Sequence, residues 1–176
     1  MRSNNKRAQI LEAALRVVDA RGSNHLTIDA VAAEAGLSKG GVLYHFASKQ
    51  ALLQGMLDGL ISAHQERTEK QPASRSRFAA SLHLDDPMTP KEQRASLAIL
   101  AAVAEDPELI ASASVYMKDT VATAISDVPA DRQDEALVLW LATEGLRFLN
   151  ILSINPMSPR QTKSVIAHMS NRAEVL

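Results

Sequence analysis

The chain has no cysteine. A disulfide framework, a thiolate zinc site and a cysteine nucleophile are thereby excluded, and a reducing compartment suits such a sequence. Aromatic residues make up only 3% of the 176 residues. The apolar content comes mainly from Ala and Leu, which lose little side-chain freedom in a helix, so the composition favours helix over strand. Long hydrophobic runs are missing too. The most apolar stretch, "ALVLWLATEGLRFLNIL", is broken by Glu144, Arg147 and Asn150, well short of the roughly 18 uninterrupted apolar residues of a membrane span. "MRSNNKRAQILEAAL" lacks the apolar segment and small-residue cleavage site of a signal peptide. A cytoplasmic location with no membrane partner is expected. The usual catalytic motifs are also missing. His25, His45, His64, His83 and His168 show no metal-ligand spacing, and there is neither a phosphate-binding glycine loop nor a nucleophile elbow. No enzyme activity, metal or cofactor is expected.

Charge is nearly balanced at −1 overall, yet it is unevenly spread. Residues 1–50 carry Arg2, Lys6, Arg7, Arg16, Arg21, Lys39 and Lys49 against Glu12, Asp19, Asp29 and Glu34, and the remainder has an acidic excess. That distribution suits a chain whose first part alone meets a polyanion.

Apolar spacing predicts an all-α chain of about nine helices. The first covers about Lys6 to Ala20, with Ile10, Ala13, Ala14, Val17 and Val18 on one face. "TIDAVAAEAG" is a short second helix with Thr27 as N-cap and Gly36 as its stop. A third starts at Ser38, and a fourth at Ser48 with Leu52, Leu53, Met56, Leu57, Leu60 and Ile61 as its stripe. "RTEKQPASRSR" is the best boundary, giving a first domain at 1–50, a connecting helix at 48–70 and a second domain at 71–176. Beyond it, "RFAASLHL" is a short helix. "TPKE" and "SPRQ" are capping boxes built on Thr89 with Glu92 and on Ser158 with Gln161. "EDPEL" opens another helix with Asp106 as cap, and "VPADRQDEALVLW" opens the longest C-terminal one.

"AGLSKGGVLYHF" spends three glycines inside this helical pattern. A helix-turn-helix needs a small residue where its helices touch, here Ala32 or Ala33. It needs a residue at ease with positive φ, Gly36, and an apolar plug, Leu37. Ser38 then caps a second helix with Val42 and Phe46 turned inward. Gly40 and Gly41 fall within that helix, where each costs roughly 1 kcal/mol relative to alanine. Close approach of the backbone to DNA would explain them, and Lys39 and the helix start would favour phosphate. A loosely formed turn is the competing reading. Lys6 and Arg7 fit either a minor-groove arm or a frayed terminus.

"LTIDAVAAEAGLSKGGVLYHFASKQALL" resembles the DNA-binding segment of the TetR family of transcriptional repressors, over roughly residues 7–57. The resemblance implies that Thr27 caps the second helix and touches phosphate, and that Ser38, Lys39 and Gly40, with Gly41 behind them, lead the recognition helix. Tyr44 and His45 would reach the backbone or a base edge, and Lys49 would hold a phosphate. The commoner family pattern has Tyr where this chain has Leu43, and here Tyr44 directly precedes His45. His45 packing on the first helix and Lys49 as a solvated charge are the plainer alternatives. Phe46 reads as core.

One recognition helix reads few base pairs, so a homodimer on a pseudo-palindromic duplex operator is expected. Its interface is assigned to the two last helices, through Leu137, Leu141, Leu149, Leu152, Val165, Ile166 and Met169. The resemblance implies a four-helix bundle there. It also implies a pocket for a small-molecule effector, for which Phe78, Leu82, His83, Met88, Leu100, Val103, Tyr116, Met117, Trp140, Glu144 and Phe148 are candidates, although each would serve equally as core. Glu144 and Arg147 are spaced to pair on a helix surface. The competing functional readings are a DNA-binding regulator whose body receives a protein or no ligand, and a helical adaptor.

Overall fold

The computed structural model describes residues 2–72, 75–84, 86, 88–103 and 109–176. Among these residues there are nine α-helices and no strand. They are α1 (Arg2–Arg21), α2 (Ile28–Ala35), α3 (Lys39–His45), α4 (Lys49–Glu69), α5 (Arg77–Leu82), α6 (Pro90–Val103), α7 (Leu109–Ile125), α8 (Gln133–Ile151) and α9 (Pro159–Glu174), with 3-10 turns at Ser23–His25 and Ala130–Arg132. The first helix starts earlier than its apolar pattern, at Arg2. The start expected at Asp106 lies outside the described residues.

Contacts divide the chain into two compact units, Met1–Ser62 with Met88–Ala113, and Ala63–Pro87 with Ser114–Leu176. In the first, Ile10, Ala13, Ala14, Val17 and Val18 of α1 are all buried, the face their spacing predicted. Against them lie Val31, Ala32 and Ala35 of α2, Val42 of α3, and Leu52, Leu53, Met56 and Leu57 of α4. Ala95, Ala98, Ile99 and Ala102 of α6 join the same core. Each fully buried Val, Leu or Ile contributes about 1.5–3 kcal/mol. Thr89 and Glu92 close the start of α6: the Thr89 N–H donates to the carboxylate at 2.6 Å and the Glu92 N–H to the hydroxyl at 3.3 Å.

The second unit has its own core of Phe78, Ala79 and Leu82 from α5 with Ala124, Val128, Ala136, Met169 and Ala173. Trp140 and Ile166 pack on its edge. Ser158 and Gln161 form a full capping box at α9. Arg75 reaches Glu174 at 2.6 Å, and Arg172 pairs with Glu135. The hydrogen bond from Arg172 holds the Glu135 carboxyl below its ordinary range.

Candidate nucleic-acid interface

The turn between α2 and α3 is closed by its own residues. Thr27 stands just before α2 in extended backbone and accepts from the Ala30 N–H at 3.1 Å. At the other end Gly36 takes φ +65°. This lets the Leu37 N–H reach the Ala32 carbonyl at 2.9 Å and that of Gly36 reach Ala33 at 3.3 Å. Ala32 is the small residue at the helix contact, buried where Ala33 is exposed. Leu37 packs on the core as the plug. Gln9 Nε2 donates to the Ala35 carbonyl at 2.9 Å and ties the end of α2 to α1.

Ser38 caps α3 by accepting from the Gly41 N–H at 3.0 Å. The two glycines after it do different things. A Cβ on Gly41 would sit 3.3 Å from the Ser38 hydroxyl, tight against the cap, whereas one on Gly40 would meet nothing within 4 Å. Gly41 thus protects the turn, and Gly40 leaves bare backbone on the surface. Val42 and Phe46 are buried, as their spacing requires, and that sets the rotation of α3. Tyr44 is 83% exposed, and its ring meets that of half-buried His45 edge-on at 5.1 Å. Lys39 is exposed and bonds Asp29 at 3.0 Å. Such a pair is worth at most about 1 kcal/mol in water, so a phosphate can replace the carboxylate.

Ser48 accepts from the Ala51 N–H at 3.0 Å and starts α4. Lys49, the first residue of α4, is half-buried beside a small recess formed with Asn24, Leu26, Leu53 and Ala98. Arg7, considered above as a minor-groove arm, belongs to α1, and its guanidinium lies 4.4 Å from the centre of the Phe46 ring. Gly55 was not singled out by spacing. A Cβ there would lie 2.6 Å from the Phe46 ring, so α4 can pass Phe46 only because residue 55 has no side chain. A glycine inside an apolar helical stripe was the available signal.

The residues considered for an effector pocket are spread widely. Met88, Leu100 and Val103 belong to the first unit and Leu100 is 40% exposed. Phe78, Leu82 and Trp140 serve the second core. Glu144 pairs with Arg147, as the helix spacing suggested, and Arg147 also donates to the Leu82 carbonyl at 3.2 Å. Met117 is 38% exposed. Tyr116 alone of the set lines a cleft of about 380 Å³ within the second unit, together with His64, Thr68, Thr120 and Thr123. The Tyr116 hydroxyl bonds His64 Nδ1 at 2.7 Å, and burial raises its pKa.

His83 is buried in left-handed backbone (φ 49°) at the end of α5. Thr68 donates its one hydroxyl proton to the His64 carbonyl at 3.1 Å, so at 2.9 Å it must accept from His83 Nε2. That fixes the neutral Nε2–H tautomer. Nδ1 is then a buried acceptor with no hydrogen-bond partner among the described residues. Burial first, then the charges of Arg67, Arg147 and Arg75, lower the His83 pKa to about 4.

On α8 the exposed apolar residues are Val138, Leu141 and Phe148, at 63, 61 and 48%, with Leu152 at 37%. With Gly145, where a Cβ would meet nothing within 4 Å, they form a seam that repeats at alternating steps of three and four, the spacing that suits helix pairing. Leu141 and Leu152 of the expected interface lie on this seam. Leu137 and Leu149 are half-buried beside it, Val165 is exposed on α9, and Ile166 packs on the core of the second unit. Met169 is only 5% exposed, so it serves that core rather than an outer surface. Val138 and Phe148 belong to the seam although the spacing analysis left them out of the interface.

An all-helical chain with a capped helix-turn-helix near its start defines a class of DNA-binding transcription regulators, and comparison with known proteins places it within that class. Residues 10–56 match the family model "Bacterial regulatory proteins, tetR family", and residues 71–174 match "Tetracyclin repressor-like, C-terminal domain". The chain belongs to the TetR family. It is 41% identical over 58 residues to the HTH-type transcriptional regulator TtgR of Pseudomonas putida, a match covering 33% of this chain and 28% of the relative. It is 35% identical over 88 residues to BetI of Burkholderia cenocepacia, covering 46% and 45%. The matches thus span less than half of these relatives' length. Among solved structures, a TetR-family member from Streptomyces coelicolor A3 superimposes with a TM-score of 0.70 at 21% identity, covering 93% of this chain and 97% of that one. The multidrug binding protein EbrR complexed with ethidium gives 0.67 at 21% identity, over 93% and 97%. These two likenesses establish the fold.

Proposed function

We propose that the chain is a cytoplasmic repressor that binds a pseudo-palindromic operator as a homodimer and is released by a small-molecule effector. In this reading residues 1–50 contact DNA, and residues 71–176 pair the subunits and, with His64 and Thr68 of α4, receive the effector. Thr27, Ser38, Lys39, Gly40, Tyr44, His45 and Lys49 meet the duplex, and Gly41 keeps the Ser38 cap intact. The observation that carries the proposal is the uncovered α8 seam. Four large apolar side chains at helix-pairing intervals lie open to water in a chain with a single recognition helix. A second copy would cover them and supply the second recognition helix. Support for the effector comes from the cleft of about 380 Å³, within the roughly 300–1,000 Å³ range of ligand pockets. Tyr116 and His64 offer it ring surface, and Thr68, Thr120 and Thr123 offer hydroxyls. EbrR's complex with ethidium supports such an occupant by analogy of fold.

Sedimentation tests the dimer. Wild-type protein should run as a dimer, L141E should run as a monomer with its helical signal intact, and operator affinity should fall with it. A monomeric wild type at micromolar concentration would refute the pairing. A compound screen by thermal shift tests the effector, since an occupant of the folded state raises Tm by mass action. A Tyr116→Ala variant should lose that shift.

A further inference from the structure

We propose that Leu43 is a specificity-determining residue that reads thymine through its 5-methyl group, once in each half of the operator. The inference rests on the reading that α3 enters the major groove, and it adds which base feature the helix selects.

The rotation of α3 is set by its buried side. Val42 has no exposure and Phe46 is 2% exposed. At about 100° per residue, Gly40 and Tyr44 then point directly away from the core, one turn apart. Leu43 flanks them, one turn beyond Lys39, and is 37% exposed. This outer face is chemically sparse. Gly40 and Gly41 bring no side chain, and Ser38 has committed its oxygen to the Gly41 N–H. Base recognition is left to Lys39, Leu43, Tyr44 and His45. Three of these can exchange hydrogen bonds with phosphate or with the purine and cytosine edges.

Leu43 can do neither. It has no donor or acceptor, and a phosphate beside it would lose water for nothing. In the major groove the one apolar feature that a base pair presents is the thymine methyl. A leucine on this face therefore distinguishes thymine from cytosine by contact and from a bare pyrimidine by the buried methyl. Its neighbour supports close approach: Gly40 has open space where a Cβ would be, so the backbone one turn earlier does not hold the duplex off.

The test uses full-length protein and duplexes that it selects from a random pool. Each thymine of a selected duplex is replaced in turn by deoxyuridine, which removes only the methyl. One thymine per half-site should lose roughly fourfold in affinity, the worth of one buried methyl. The variant L43A should bind the parent duplex more weakly and show no further loss at that thymine, with the fold retained, because Leu43 is 37% exposed and is not one of the buried core residues. A flat deoxyuridine series on a tightly bound duplex would overturn the proposal, as would a loss that persists in L43A. Failure of the underlying reading looks different: L43A and Y44A would both bind every duplex as wild type does.

Discussion

Between Thr27 and Phe46 the backbone groups at the helix ends are closed mainly by residues three to five places away in sequence, with Gln9 adding one longer tie to the Ala35 carbonyl. In the second unit Ser76 and Ser158 also cap locally, but further ties reach across the chain. Arg75 and Ser76 find Glu174 and Ala173 at separations of 97 to 99 residues, and Arg147 reaches a carbonyl 65 residues back. The first region can form its turn largely from local instructions, whereas the second adds distant ties to its local caps. The surfaces differ in the same sense. The outer face of α3 is bare and polar around Leu43, while the outer face of α8 is apolar and exposed.

The largest expected effect that would break this contrast concerns two glycines of one helix. G55A puts a Cβ against the Phe46 ring. It should destabilise the protein by about 1–3 kcal/mol, as overpacking does, and weaken operator binding with it. G59A, where a Cβ meets nothing within 4 Å, should instead stabilise by about 0.5–1 kcal/mol. Chemical denaturation measures both. Equal effects would mean that Phe46 does not dictate the passage of α4.

Next in size is the pH response of the second unit. Above the ordinary histidine pKa of 6.5, His83 is neutral folded and unfolded and imposes no pH dependence. As pH falls from 6.5 to about 4 the unfolded chain takes up a proton that the folded one refuses, so stability drops, and it levels below about 4. The group is faced by Arg67, Arg75 and Arg147, with the His64 ring stacked edge-on at 4.4 Å. H83N, which keeps a residue tolerant of left-handed backbone, should flatten the wild-type curve in that window. Parallel curves would remove the buried neutral histidine from the account.

Cap deletions sharpen the comparison further. T27A should cost about 1 kcal/mol and should also weaken DNA binding, because its helix positions α3. S158A should cost a similar amount and leave DNA binding alone. The smallest effect is electrostatic. K39A and K49A should each lower the salt slope of operator binding by about one unit wherever the lysine meets phosphate. An unchanged slope in the double variant would remove both contacts.

Legibility followed the same division. Thr27, Gly36, Leu37, Ser38, Val42 and Phe46 could be placed from the order of residues, since caps, positive φ and helical phase act over a few residues. Ala32 rather than Ala33 became the contact residue only once α1 was in place. Arg7 read as a possible arm or a frayed terminus, and only the folded chain brings its guanidinium over the Phe46 ring. Met169 has the spacing of an interface residue, yet it faces inward because Phe78 and Ala136 lie on that side. The cleft beside Tyr116 draws on three helices, and no short stretch of sequence carries that arrangement.

The amino-acid order by itself determined the helices, their caps and the turn that presents α3, because backbone hydrogen bonds and glycine sterics are settled between near neighbours. Only the tertiary structure decided which apolar side chains stay uncovered on α8, which histidine is kept neutral and why Gly55 must lack a side chain. Those outcomes depend on what distant segments place alongside each residue, and burial is a property of the neighbours as much as of the residue itself.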